Sequence, residues 1–417
     1  MTKRRVAITG LGLVSPFGGS TEDFFARIAA GESCIRHYRT EDQPRPLSLP
    51  AVRCVDFNPD QALGKPLAAT MDRFAQLATA AAFEAWQQAG FSREDKSAKP
   101  DCGVSWGTAL GGTLAYERGY RDLWQQGRER ISPMSVVLGM NNAASAHIAI
   151  QLGLGNSCLS YTVACTSAAA AIGEAYRRIR DGEAERMLAG GSDAPLAYGV
   201  VRAWEALRVL APGDEQTSPS ACRPFHAGRG GLVLGEGAAA LMLEEWNSAV
   251  ARGAPILAEL AGYGASCDHS HLVKPDATGQ VRALHLALAD AGLATDEVDY
   301  VNAHGTATKE GDPTEIEALR QVFGSTAERL PVSATKAGHG HLMGAAGAIE
   351  ALITVLALHH DTLPPTAHLE QEHIDPACTG VRHILGSALR GIGARAALSN
   401  SFAFGGSNAV LAFRRPA

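Results

Sequence analysis

The chain has 417 residues, 46% of them hydrophobic and 19% charged, and a formal net charge of −6. This length admits two domains or one duplicated unit, and the acidic balance argues against nucleic acid as a partner. The eight cysteines include no CxxC pair and no zinc-like spacing, so a reducing, cytoplasmic setting is expected. The start, Lys3-Arg4-Arg5 before a short apolar stretch, faintly mimics a signal peptide, but Gly10 and Gly12 break it, and a first strand with a turn is expected. Strands are predicted at 6–9, 103–106, 159–163, 186–189 and 238–243, then at 257–262, 300–302, 330–333, 396–399 and 409–413. Helices fall between them, for example at 74–89, 280–291 and 314–322, which is an α/β pattern. The stretch 40–59, rich in proline and charge, reads as a loop or surface arm. A charged helix ending in Arg252-Gly-Ala-Pro255 divides the chain into 1–250 and 251–417, halves that share an element pattern but no obvious sequence repeat. Segment 342–358 is apolar except for Glu350. It falls short of the roughly 20 residues of a spanning helix, so a buried core helix and no membrane span are expected.

Cys165 stands out from this background. It follows the predicted strand 159–163 and precedes an alanine-rich helix that runs to Asp181-Gly182. Unpaired N–H groups and the positive helix end lie there, and both favour thiolate over thiol. Most free cysteines are plain core residues, so the surrounding chemistry has to decide. His304 follows the strand ending at Ala303, and Asp312-Pro313-Thr314-Glu315 then reads as a helix start with a cap, a proline at the first position and Glu at the third. Lys336 and His341 lie in a glycine-punctuated loop after the strand ending at Ser333. Ligands of α/β sheets collect beyond such strand ends. The loop 400–408, with Phe402 and Phe404 beside Gly405 and Gly406, suits a close backbone approach to a ligand. His147, His285, His359, His360 and His383 read as structural. The pairs His269/His271 and His339/His341 lack further ligands at a recognisable spacing, so no metal is expected. One cysteine and one histidine would fit a papain-like hydrolase, which needs a single base and an orienting Asn or Asp. Two histidines and a lysine beside a thiolate suit acyl transfer to sulfur followed by stabilisation of a carbanion or enolate.

Together these motifs resemble the elongating β-ketoacyl-acyl-carrier-protein synthases, which have a thiolase-like, duplicated αβαβα fold. The matching stretches are 163–167, 303–306, Thr335-Lys336 with 340–347, 400–408, Arg223-Pro224-Phe225 and Gly235-Glu236-Gly237, and the resemblance runs from Val6 to the last strand. It implies an acyltransferase without metal or cofactor. Cys165 takes an acyl chain as a thioester, with the N–H groups of Cys165 and Phe404 as oxyanion hole. His304 and His341 stabilise the enolate formed as malonyl-carrier protein loses carbon dioxide. Lys336 supports the histidines, and Glu350 is a structural acid bonded to nearby backbone. Phe404 with Gly405 gates the two half-reactions.

The resemblance further places Thr306, Thr308, Asp268 and His271 on the malonyl side, and Leu110, Trp204 and Phe402 at the acyl pocket. Asp312 is read as structural, and Lys65 and Arg208 as carrier-protein contacts. Ala307 stands where glycine or serine is usual. His339 replaces a common threonine and adds a titratable group to the loop. Val273 replaces a frequent threonine, and Trp204 exceeds the usual phenylalanine, implying a short or flat acyl chain or a displaced pocket. The implied partners are acyl- and malonyl-loaded carrier protein and a second chain, in a homodimer or in a heterodimer with a cysteine-lacking, chain-length-factor-like subunit. Fatty-acid and polyketide or polyene elongation remain open. So does a relative that only decarboxylates malonyl groups or transfers acyl chains.

Overall fold

Eleven strands build one mixed sheet in the computed structural model, which describes residues 3–42 and 44–416. They are β1 (Val6–Val14), β2 (Cys102–Gly107), β3 (Cys158–Tyr161), β4 (Arg186–Asp193), β5 (Gly237–Glu245), β6 (Ala258–Cys267), β7 (Tyr300–Asn302), β8 (Pro331–Ser333), β9 (Arg382–His383), β10 (Ala396–Phe402) and β11 (Ser407–Arg414). From the centre outward the order is β1-β5-β4-β2-β3 on one side and β6-β11-β10-β7-β8-β9 on the other. Leaving aside the edge strand β9, each side runs first, fifth, fourth, second, third in its own chain order. The pairings repeat too: two antiparallel, then two parallel. β1 and β6 join the sides antiparallel. This is the duplicated architecture expected from the sequence.

Small residues explain how the layers close. In β1, a Cβ on Gly10 or Gly12 would strike the backbone of Ala85 or Ala81 in helix α1 (Arg73–Gln88). In β6, Gly262 and Gly264 meet Ala287, Ala291 and Ala283 in the same way; the first two of these and Ala283 lie on helix α4 (Ala277–Ala291). Both halves thus repeat a Gly-x-Gly strand against alanines four apart, which bring helix and sheet backbones into contact. Two central helices, α2 (Ser167–Arg180) and α6 (Ala346–His359), pack on each other, and each touches strands of both sides. α1 covers the outer face of the β1–β5 side, and α4 with α5 (Gly311–Phe323) that of the β6–β11 side. The result is five layers, αβαβα. α6 is buried all round, as its apolar run foretold, and no helix among the described residues is long and apolar enough to cross a membrane.

All ten predicted strands are present; the eleventh, β9, is a two-residue edge with no apolar pattern. The expected loop 40–59 is corrected. Ser48–Val52 within it is a strand, antiparallel to Arg36–Arg39 and parallel to Leu234–Gly235. Its proline and charged flanks suggest a loop, but Leu49, Pro50, Ala51 and Val52 are buried against the body.

Candidate active site

β3 ends at Tyr161, and the chain turns sharply at Ala164, whose φ of 49° lies in the left-handed region disfavoured for residues with a Cβ. A short turn, Ala164–Thr166, then leads into α2. Side chains brace it: Ser167 Oγ donates to Ala164 O (2.6 Å) and accepts from Val163 N (2.9 Å), and Thr166 Oγ1 donates to Val163 O (2.7 Å). This lifts Cys165 beyond the strand end, buried, with Sγ 3.0 Å from His341 Nε2. Burial pushes the thiol up to about 12, and the Lys336 ammonium pulls it back only in part. The helix-end argument for a ready thiolate is therefore corrected: the resting group is a thiol with a neutral imidazole in reach.

His304 lies two residues beyond β7. Glu315 of α5 holds its backbone, accepting from His304 N and Gly305 N at 2.8 Å each and from Asn400 Nδ2 at 3.0 Å. Lys336 is fully buried. Its Nζ donates to His304 O (2.6 Å), reaches His304 Nδ1 (3.2 Å) and pairs with Glu350 of α6. Glu350 was expected to bond backbone; its carboxylate instead balances the buried ammonium. Since an ammonium only donates, Nδ1 of His304 is the acceptor and Nε2 carries the proton. Burial and the ammonium keep His304 and His341 well below the usual imidazole range. Their rings meet edge to face at 5.5 Å. The Sγ of Cys165 and ring nitrogens of the two histidines lie within 4.8 Å of one another. An N–H at His304 Nε2 and an ammonium on its Nδ1 make this trio a poor fit to a metal, which needs lone pairs.

A cavity of about 440 Å³ opens on this group and is lined by Trp204, Phe402, Phe404, Thr306, Thr308 and Asp268 among others. Trp204, on helix α3 (Tyr198–Leu207), stacks on Phe404 at 5.9 Å. Gly405 and Gly406 follow with φ of 85° and 73°, a double left-handed turn that needs glycine. This loop is zipped to the one after β6: Gly405 N donates to Leu272 O (2.7 Å), Asp268 N to Gly406 O (2.8 Å), and Asn408 Nδ2 to Asp268 Oδ1 (2.6 Å). Thr306 and Thr308 hydroxyls lie 3.0 Å apart.

The structure does not bring every expected residue to the cavity. His271 is exposed, and its Nδ1 accepts from Val273 N and Lys274 N (3.1 and 3.0 Å) in its own loop. Leu110 lies outside the lining; its N–H is held by Asp193 at 3.1 Å. Asp312 does not cap its helix, which begins at Gly311; it is buried and accepts from Phe225 N (2.8 Å). Arg208, at the end of α3, borders the cavity, whereas Lys65 is exposed away from its lining. Sequence reasoning missed Glu315 as a brace and Asp193, which gathers Ala109 N, Leu110 N, Gly344 N and the Thr108 hydroxyl. It also missed Lys274 and Lys309 at the cavity mouth.

Two departures from the family pattern acquire physical meaning. Ala307 is buried with φ 62°, the conformation glycine adopts freely. Ala307→Gly is expected to raise stability by up to about 1 kcal/mol in urea titration, relief of the Cβ clash outweighing added unfolded-state freedom. His339 is buried beside Lys336 and pushed down to about 3, so it adds no titrating group at physiological pH, contrary to expectation. In the unfolded chain it takes a proton near pH 6.5. The unfolded state then binds more protons below that pH, so stability drains as pH falls from 6.5 towards 3. Relative to wild type, His339→Gln should therefore gain about 2 kcal/mol between pH 6.5 and 5.0 in urea titrations.

A buried cysteine from one half of a duplicated αβαβα fold, facing two histidines and a lysine from the other, is the arrangement of a condensing acyltransferase. The profile of the β-ketoacyl synthase N-terminal domain matches residues 3–249, and that of the C-terminal domain residues 257–370. The chain belongs to the β-ketoacyl synthase family. It is 42% identical over 412 residues to nodulation protein E of Rhizobium sp. (strain N33), covering 99% of each chain. It is 38% identical over 420 residues to 3-oxoacyl-[acyl-carrier-protein] synthase 2 of Coxiella burnetii, covering 100% of this chain and 99% of that one. Among solved structures, a β-ketoacyl synthase from Burkholderia phymatum superposes with a TM-score of 0.91 at 34% identity, covering 99% of this chain and 100% of that one. The ishigamide ketosynthase/chain length factor superposes with a TM-score of 0.90 at 32% identity, covering 100% of each.

Proposed function

We infer that Cys165 holds an acyl chain as a thioester and that His304, His341 and Lys336 generate the carbanion that takes it. The chain catalyses decarboxylative condensation of an acyl thioester with malonyl-acyl-carrier protein, giving a β-ketoacyl-carrier protein and carbon dioxide. In the first half-reaction the thiol proton passes to His341 Nε2 and on to the departing carrier thiolate, while sulfur attacks the acyl carbonyl. The N–H groups of Cys165 and Phe404 receive the developing oxyanion. Among the described residues the Phe404 N–H has no hydrogen-bond partner, which supports this role. In the second half-reaction no thiol remains to donate to His341, which takes its Nε2–H tautomer, and the malonyl thioester oxygen lies between this group and the Nε2–H of His304. The bond to the carboxylate breaks, its electron pair enters the enolate, and carbon dioxide leaves. The enolate carbon attacks the acyl carbonyl on Cys165, the carbon–sulfur bond breaks, and the thiolate takes the one proton that the reaction consumes from solvent. Lys336 keeps His304 in the donating tautomer, and Glu350 balances its charge within a dry pocket.

On this reading residues 1–250 supply the nucleophile and 251–417 the two histidines. Thr306, Thr308 and Asp268 border the malonyl side, while Trp204 and Phe402 border the acyl chain and Phe404 with Gly405 gates between them. Arg208, Lys274 and Lys309 border the cavity, none pairs with a carboxylate among the described residues, and they form a cationic approach for an acidic carrier protein, of which Lys65, away from this lining, is a separate contact. The free edge of β3, where Leu159 is 36% exposed, suits a second chain of this fold. That chain is a second copy or a chain-length-factor-like subunit. All eight cysteines are unpaired, which suits the cytoplasm. The reaction serves fatty-acid or polyketide chain elongation.

The observation that carries this reading is the 3.0 Å approach of Sγ to His341 beside a histidine whose tautomer an ammonium sets. Incubation with acyl- and malonyl-carrier protein should yield a β-keto product two carbons longer. Carbon dioxide release without a new carbon–carbon bond would instead mark a non-elongating decarboxylase.

A further inference from the structure

His339 plays no part in the steps above, yet it is buried completely in the turn that carries Lys336. Its Nε2 lies 3.1 Å from Thr335 Oγ1, and that hydroxyl lies 3.3 Å from Asn302 Oδ1. The amide nitrogen of Asn302 faces the other way, donating to Glu350 O (3.2 Å) and Thr354 Oγ1 (3.4 Å). A hydroxyl has one proton, and a carbonyl oxygen only accepts. Thr335 therefore donates to Asn302 and must accept from His339, which puts the proton on Nε2. The polar chain His339–Thr335–Asn302 links three elements: the turn bearing Lys336, the strand β7 that leads to His304, and the helix α6 bearing Glu350. On its outer side the same turn is held by Cys34, whose N–H donates to Gly338 O at 2.9 Å.

We propose that His339 is a positioning residue for decarboxylation: through Thr335 and Asn302 it holds the Lys336 ammonium in register with His304. This rests on the roles of His304 and Lys336 proposed above. Lys336 meets two atoms of His304 and one of Glu350 at once, so a small shift of its turn breaks the contact with Nδ1. Among the described residues, neither His339 nor Thr335 nor Asn302 hydrogen-bonds to Cys165 or Phe404. Loss of the link should therefore separate the two half-reactions.

The test measures both in each variant: acyl transfer to Cys165 by intact mass, and carbon dioxide release from malonyl-carrier protein. His339→Ala and Thr335→Val should lower the turnover rate for decarboxylation by about tenfold or more, as misplacement near an ångström does, with acyl transfer within about threefold of wild type on the same basis. His339→Gln keeps an N–H donor and should restore decarboxylation, which also controls for misfolding of the alanine variant. The proposal is overturned if both half-reactions fall together, if neither falls, or if glutamine fails to rescue. If wild type itself releases no carbon dioxide, the parent reading of the site fails and this inference falls with it.

Discussion

Cys165→Ala is expected to abolish the acyl adduct and to lower condensation by about four orders of magnitude or more, the scale of removing a covalent nucleophile. The fold should survive, because an alanine at this position asks nothing new of the turn: Ala164, Ser167 and Thr166 set its geometry through their own hydrogen bonds. Carbon dioxide release from malonyl-carrier protein should persist, since the groups that stabilise the enolate remain. The variant thus separates the two chemistries. A loss of both would mean that the sulfur also takes part in decarboxylation, and condensation at the wild-type rate would remove Cys165 from the mechanism.

Lys336→Met is expected to do the reverse. It leaves acyl transfer to Cys165 in place and lowers decarboxylation by about 10²–10³-fold, the scale for losing one preorganised electrostatic contact. The ammonium no longer sets the tautomer of His304 or faces the enolate's charge. Stability should also fall, by about 1–3 kcal/mol, because Glu350, already pushed up to about 7 by burial, takes a proton and is left without its buried partner. The double variant Lys336→Met/Glu350→Leu separates the two effects. Replacing both partners by apolar side chains should recover most of the stability, while decarboxylation stays low. Urea titration and a carbon dioxide assay on the same three proteins check this. Activity that returns with stability would show that Lys336 acts only as a structural counter-charge.

Cys165, His304, Lys336 and His341 were legible in the sequence because each follows a predicted strand and sits in a loop punctuated by small residues. The doubly wound geometry then brings those loops together, since β3, β7, β8 and β10 all end towards one site. What stayed illegible depends on distant partners. Glu315 and Asp193 grip backbone N–H groups far away in the chain, and a main-chain partner leaves no mark in sequence. The duplication was hidden in plain residues: Gly10 and Gly12 against Ala81 and Ala85 recur as Gly262 and Gly264 against Ala283 and Ala287. The helix-end argument for Cys165 weighed the dipole and left out burial, and burial dominates. Asp312 mimicked a cap because Asp-Pro opens many helices, but its carboxylate turns inward to Phe225 N.

The central claim is that one sulfur stores the acyl chain and one histidine pair creates the carbanion that removes it. A single-turnover chase tests this directly. Acyl-Cys165 enzyme is isolated, malonyl-carrier protein is added, and adduct mass, carbon dioxide and product are followed together. The account predicts that the adduct disappears in step with one carbon dioxide and one β-ketoacyl-carrier protein for each acyl group discharged. An adduct that persists while carbon dioxide accumulates, or one that discharges only as free acid, would contradict it.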